Sequence, residues 1–153
     1  MSDWKRTTKE IPFESLRPEM VDAITKHIEQ YNLGWILSDA LMCVQTDSGK
    51  AKKGLFGQAE TVYMGCVLMP RWLVWSTSGA KNVVAVMSAQ LRDLTVQDYA
   101  QTPFMKLVPD SGIQVSGQFT DTSEVASVFI GLAGTAGENF KTKVIEAVQA
   151  AKK

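Results

Sequence analysis

A chain of 153 residues, 45% hydrophobic and 21% charged, is long enough for one domain with a real core and too apolar for a disordered segment. Sixteen basic and sixteen acidic residues cancel, which argues against a nucleic-acid partner, because that affinity is built on neutralised phosphates. The same neutrality leaves little self-repulsion to oppose association between copies.

Residues 1–14 are polar and aperiodic and are expected as a flexible arm ahead of a single domain over 15–153, with Trp4, Ile11 and Phe13 pinning parts of it. The arm contains no apolar leader core, and no stretch reaches the roughly 18 apolar residues of a membrane span, so a cytoplasmic chain is expected. Leu16, Met20, Ala23, Ile24, His27, Ile28 and Tyr31 recur at spacings of three and four, which predicts a helix over 16–31. Ser15 is its expected N-cap, Pro18 suits its first turn, and Asn32 and Gly34 form the stop signal.

From Trp35 to about Leu132, short apolar runs alternate with turn signals, and the pattern predicts seven strands. They are expected near 35–46, 59–69, 72–77, 83–87, 91–99, 113–119 and 127–132, with DSGKAKKG as a loop and Ser78-Gly79 as a tight turn. In WLVWST, Trp72 and Val74 share one side of a strand and Leu73 and Trp75 the other. Both sides are apolar, so something must cover each of them. Trp72 and Val74 are therefore candidates for an interaction surface, unless the chain's own helix or arm lies over them. Phe140, Val144, Ala147, Val148 and Ala151 mark a closing helix over 137–151, with Thr135 and Glu138 spaced as a capping box. Uninterrupted strands between two helices form antiparallel meanders.

Cys43 and Cys66 both stand among apolar residues, which suits two buried thiols; a disulfide between neighbouring strands is the alternative. His27 is the single histidine and falls on the helix stripe, so no Ser-His-Asp triad or histidine-based metal set is expected. The glycine-rich GLAGTAGENFK lacks both the Gly-Lys-Ser/Thr ending of a phosphate loop and the dinucleotide glycine pattern. No catalytic residue, metal site or cofactor is expected.

Between residues 60 and 148 the segments MPRWLVWSTSGAKNVVAVM, SAQLRDLTVQDY and PDSGIQVSGQF, followed by the helix ENFKTKVIEAVQ, resemble the pleckstrin-homology-like superfamily in its bacterial PH and GRAM-type form. The resemblance implies an α+β, mainly β fold: a strongly bent seven-stranded antiparallel barrel capped by the C-terminal helix, here with an additional N-terminal helix. It also implies that the loop after the first strand holds anionic headgroups, which points to Lys50, Lys52 and Lys53, with Arg71 and Lys81 nearby. The family's lysine on strand one and arginine on strand two are absent from ILSDALMCVQT and QAETVYMGCVLM. The leading expectation is a non-enzymatic module that binds a protein or peptide, self-association included. The alternatives are peripheral binding of an anionic lipid or phosphate ligand, with weak membrane-surface contact, and a small enzyme with an unrecognised site.

Overall fold

The computed structural model describes residues 4–50, 60–79, 84–120, 122 and 124–153. It is mainly β, with eight strands in two antiparallel meanders. The first sheet runs in chain order through β1 (Trp4–Glu10), β2 (Met42–Lys50), β3 (Glu60–Leu68), β4 (Trp72–Ser78) and β5 (Val84–Gln90). The second comprises β6 (Leu94–Asp98), β7 (Gly112–Gln118) and β8 (Val125–Gly131). Helix α1 (Pro18–Tyr31) and the single turn α2 (Ile36–Asp39) lie between β1 and β2, and α3 (Gly134–Ala151) follows β8. Among the described residues the strands form a five-stranded and a three-stranded sheet with no ladder between them, and no closed barrel is found.

The architecture follows from a first sheet that is apolar on both faces. Val44, Cys66, Leu68, Leu73, Trp75 and Ala89 point to one side and meet Leu94, Ile113, Val115 and Ile130 of the second sheet and Phe140, Val144 and Val148 of α3. Trp75 sits at the centre of this core, edge-on to Phe119 with ring centroids 5.0 Å apart. The residues between them, Cys43, Val67 and Val74, point the other way and lie under Leu16, Met20, Ile24 and Ile28. Each such side chain contributes about 1.5–3 kcal/mol when taken fully out of water. The chain's own N-terminal helix therefore covers the second face of β4. The expected interaction surface is corrected accordingly: Val74 is 0% exposed beneath α1, while Trp72 belongs to the same cluster but lies at its half-buried rim.

Helix α1 starts with Pro18 at its first position, where the missing N–H costs nothing. Its N-cap is Arg17 and not Ser15, which falls in the 3-10 turn Phe13–Ser15. The Arg17 N–H is instead satisfied by Gln45 Oε1 at 3.0 Å. Asn32 stops the helix in the left-handed conformation, at φ 55°. At the other end of the chain α3 begins at Gly134 with Ala133 as N-cap and no side-chain cap, so Thr135 and Glu138 do not form the expected capping box. Glu138 pairs with Lys141 instead, at 2.7 Å.

Three further expectations are overturned. Residues 4–10 are not a loose arm: they form β1, paired with β2 from Trp4↔Lys50 to Glu10↔Val44. Its inward residues are polar but satisfied, Arg6 by Asp110 and Ser48, Thr8 by Thr46 and the Ala133 N–H. The strand expected over 35–46 begins only at Met42 and runs to Lys50, because the Asp39 carboxylate accepts the Trp35 N–H and α2 occupies the first part. The single run expected over 91–99 is likewise split, with a 3-10 turn Leu91–Asp93 ahead of β6.

Cys43 faces Val67 across the ladder and Cys66 faces Val44, so the two thiols are on adjacent strands but opposite faces. That geometry rules out a bridge between them, and both are free. Burial pushes the Cys43 thiol up to about 12, and Cys66 higher still. In an Ellman titration without denaturant, both thiols are expected to react only at the rate of opening, and both to react at once in guanidinium; immediate reaction of either in the native protein would contradict this packing.

Candidate functional site

The end of the first sheet where β2 begins and β3 ends is also where β4 starts. The β3–β4 turn is closed by the Met69 N–H donating to the Trp72 carbonyl at 2.9 Å, which leaves Pro70 and Arg71 at its tip. Across the β4–β5 ladder, Trp72 pairs with Gln90, and the Leu91 N–H donates to the Arg71 carbonyl at 2.9 Å. Leu91 is buried in the main core, so the 3-10 turn that carries it turns Arg92 outward. Two helices end beside this point, α1 at Asn32 and α3 at Ala151. Together Asn32, Arg71, Trp72, Gln90, Arg92 and Ala151 line an open recess of about 570 Å³.

The recess lies within the size range of ligand sites. Arg71 and Arg92 are both exposed, and among the described residues neither makes a salt bridge. A guanidinium is always charged, presents a planar fork of donors to a carboxylate or phosphate, and stacks on aromatic faces. Two of them in one recess with an indole are chemically suited to an anionic group attached to a flat or apolar body. The sequence singled out Arg71 as an anion ligand and Trp72 as an interaction residue on separate grounds; the fold brings the two together. Arg92 was missed as a site residue, although it stands in the quoted segment SAQLRDLTVQDY.

Lys50 does not join this site. Lys50 ends β2 and pairs with Glu60, whereas Arg71 follows the opposite end of β3, beyond the Met42–Leu68 pair. The intervening strand puts these ends about 27 Å apart at ~3.4 Å per residue. Lys50 and Arg71 thus belong to different ends of the sheet. Lys52, Lys53 and Lys81 lie outside the described residues.

A second polar centre, invisible in the sequence, lies where β1 meets β8. Arg6 donates from Nε and Nη2 to the two Asp110 oxygens at 2.8 Å each, and from Nη1 to Ser48 Oγ at 2.6 Å. Its guanidinium carbon is 5.3 Å from the centre of the Phe129 ring, beside a pocket of about 240 Å³. Burial alone would raise the Asp110 carboxyl, but the hydrogen bonds from Arg6 and the Ser111 N–H overcome it and hold the group below the ordinary carboxylate value. This arrangement locks the edge strand to the second sheet.

His27 stands on α1 facing β5. Its Nε2 is 2.8 Å from Ser88 Oγ, which donates to Thr120 Oγ1 at 2.7 Å, and its ring lies 4.7 Å from that of Tyr31. Ser88 is fully buried, so the pair is a tie between helix and sheet. Asp98 is held below its ordinary value in the same way as Asp110: burial opposes ionisation, and Lys141 at 2.8 Å with the Ala100 N–H prevails. Comparison with protein-family models, curated proteins and solved structures finds no match.

A group whose carboxyl is depressed on folding contributes stability above its unfolded value and loses it as pH falls through the folded one. Asp110→Asn is therefore expected to cost about 1–3 kcal/mol at neutral pH in urea unfolding, with the gap to wild type closing below about pH 4. A gap that stays constant into strong acid would contradict the ion pair. At Gly131 an added Cβ would come 2.7 Å from Arg6 Nη1. Gly131→Ala should thus destabilise by about 1–3 kcal/mol, and less in an Arg6→Ala background, which a double-mutant cycle in urea reads directly.

Proposed function

We propose that the chain is a non-enzymatic interaction module on a PH-like plan, and that it takes an acidic segment of a protein or peptide partner in the Arg71–Trp72–Arg92 recess. The order of elements supports the plan. Strands β2–β5 stand where the family has its first four, β6–β8 where it has its last three, and α3 follows as the closing helix; β1 and α1 are additions. The observation that carries the function is the pair of exposed arginines, unneutralised among the described residues, lining one recess with a half-buried tryptophan. Elsewhere in the described structure Arg6, Arg17 and Lys141 have been brought against carboxylates. Arg71 and Arg92 are instead left facing solvent in one concavity, as groups that bind in trans are. A partner that brings carboxylates to them is drawn by long-range charge and held by bidentate contacts, with the rim of Trp72 as the apolar anchor.

The probe for this reading is a hexaglutamate peptide titrated into the intact protein and followed by tryptophan fluorescence and calorimetry. Saturable binding is expected, weakening as salt rises. It should be lost in Arg71→Glu/Arg92→Glu and retained in Lys50→Gln. Failure of the wild-type protein to bind the peptide at low salt, at dilutions where it is monomeric, would overturn the reading. Binding that survives the arginine reversal but falls with Lys50→Gln would do the same, and would favour the basic loop and the anionic-ligand alternative.

A further inference from the structure

The recess is one side of a larger surface. Glu10 ends β1 and Glu14 lies in the 3-10 turn after it; together with Ile11, Phe13, Leu41 and Cys43 they line a second open recess of about 420 Å³. The Ile11 N–H donates to the Cys43 carbonyl at 3.1 Å, and the Leu41 N–H to the Leu68 carbonyl at 2.8 Å, so this recess opens at the same end of the first sheet as Arg71 and Trp72. Among the described residues Glu10 and Glu14 form no salt bridge, and both are exposed. The acidic recess sits at the β1–β2 margin and the basic one at the β4–β5 margin. Four strand spacings separate β1 from β5, about 19 Å at ~4.8 Å each.

The segment between α1 and β2 carries the apolar residues of this end. Trp35 is 79% exposed and Leu41 63% exposed. Trp35 neighbours Asn32 and Gly34, and a Cβ on Gly34 would come 3.5 Å from Met69 Cε, which ties the segment to the β3–β4 turn. One end of the molecule thus combines a negative margin, a positive margin and two uncovered large apolar side chains.

Such a surface is its own complement under a two-fold rotation. Turning a second copy by half a turn about an axis through the middle of this end sets each basic margin against the other copy's acidic margin and brings the apolar residues face to face. We infer that the chain forms a closed two-fold dimer through this end, with Arg71 and Arg92 of each copy facing Glu10 and Glu14 of the other, and with Leu41 beside the acidic margin of one copy meeting Trp35 beside the basic margin of the other. The inference rests on the reading of the basic recess as the binding site and names its occupant as a second copy of the chain. The overall charge balance of sixteen against sixteen supports it, since no net repulsion resists the pairing. An exposed tryptophan amid complementary charge is also the residue type that anchors interfaces.

The test is sedimentation velocity of the full chain over a wide concentration range, with two charge-reversed variants, Glu10→Arg/Glu14→Arg and Arg71→Glu/Arg92→Glu. The wild-type protein is expected to reach a dimer and stop there. Each variant alone should associate more weakly by about tenfold or more, because like charges now face each other. Mixed in equal amounts, the two should form a one-to-one heterodimer, which also shows that both are folded. A wild-type protein that stays monomeric, dimers that survive both reversals, open-ended growth with concentration, or variants that keep their circular dichroism spectrum yet fail to pair on mixing would each overturn the inference. A monomer that still binds hexaglutamate would sink the dimer and leave the proposed function standing; in a dimer the second copy already fills the recess, so the peptide is expected to compete with it and shift the protein toward monomer, and a monomer that binds no peptide would sink both.

Discussion

A β-strand has two faces, and in β4 both are apolar. Leu73 and Trp75 must leave water on one side and Trp72 and Val74 on the other, and neighbouring strands repeat the pattern with Cys66 against Val67 and Val44 against Cys43. A sheet of this kind cannot stand with one side in solvent. Placing the second sheet and α3 on the Trp75 side closes one layer. The other demands a separate cover, which α1 supplies with Met20, Ile24 and Ile28, joined by Leu16 from the turn before it. The long excursion between β1 and β2 follows from that demand: the chain leaves the sheet at Glu10, lays a helix across its outer face and returns at Met42.

The covering helix also decides where function can reside. The Val74 side of the sheet is sealed, so the middle of the sheet offers no surface to a partner. Cover ends where α1 ends, at the left-handed Asn32, and there the half-buried Trp72 reaches the rim beside Arg71 and Arg92. The connection back to β2 leaves Trp35 and Leu41 in water at the same end. Polar chemistry in the body of the molecule has another character. Arg6–Asp110, Lys141–Asp98 and the His27–Ser88–Thr120 chain each join separate elements and satisfy their own members. Exposed, unneutralised arginines at one end and fastened pairs elsewhere are two different arrangements of polar side chains in the described structure.

Much of this was legible in the sequence. The stripe from Met20 to Tyr31 is helical, with Met20, Ile24 and Ile28 buried against the sheet, and the alternation through Trp72–Trp75 announced a strand needing cover on both sides. Strand β1 was not legible, because an edge strand that fastens through Arg6 and Thr8 carries no apolar alternation; its partners, Asp110 and Ala133, lie more than a hundred residues away. The polar half of β2 escaped for the same reason, since Thr46 and Ser48 are buried against those residues. The candidate site was half visible. Arg71 and Trp72 drew attention singly, but the recess is assembled from a turn, a strand end and two helix termini, and no local pattern announces that meeting.

The claim on which the rest depends is that α1 is part of the core and not an appendage, and native-state hydrogen exchange measures it most directly. If α1 is the required cover of the first sheet, the amides of Ile24 to Ile28 will exchange only through global unfolding, with the same protection as those of β3 and β4. If instead α1 exchanges by local opening while β3 and β4 stay protected, the sheet does not need its helix, and the account of both the fold and the exposed end fails.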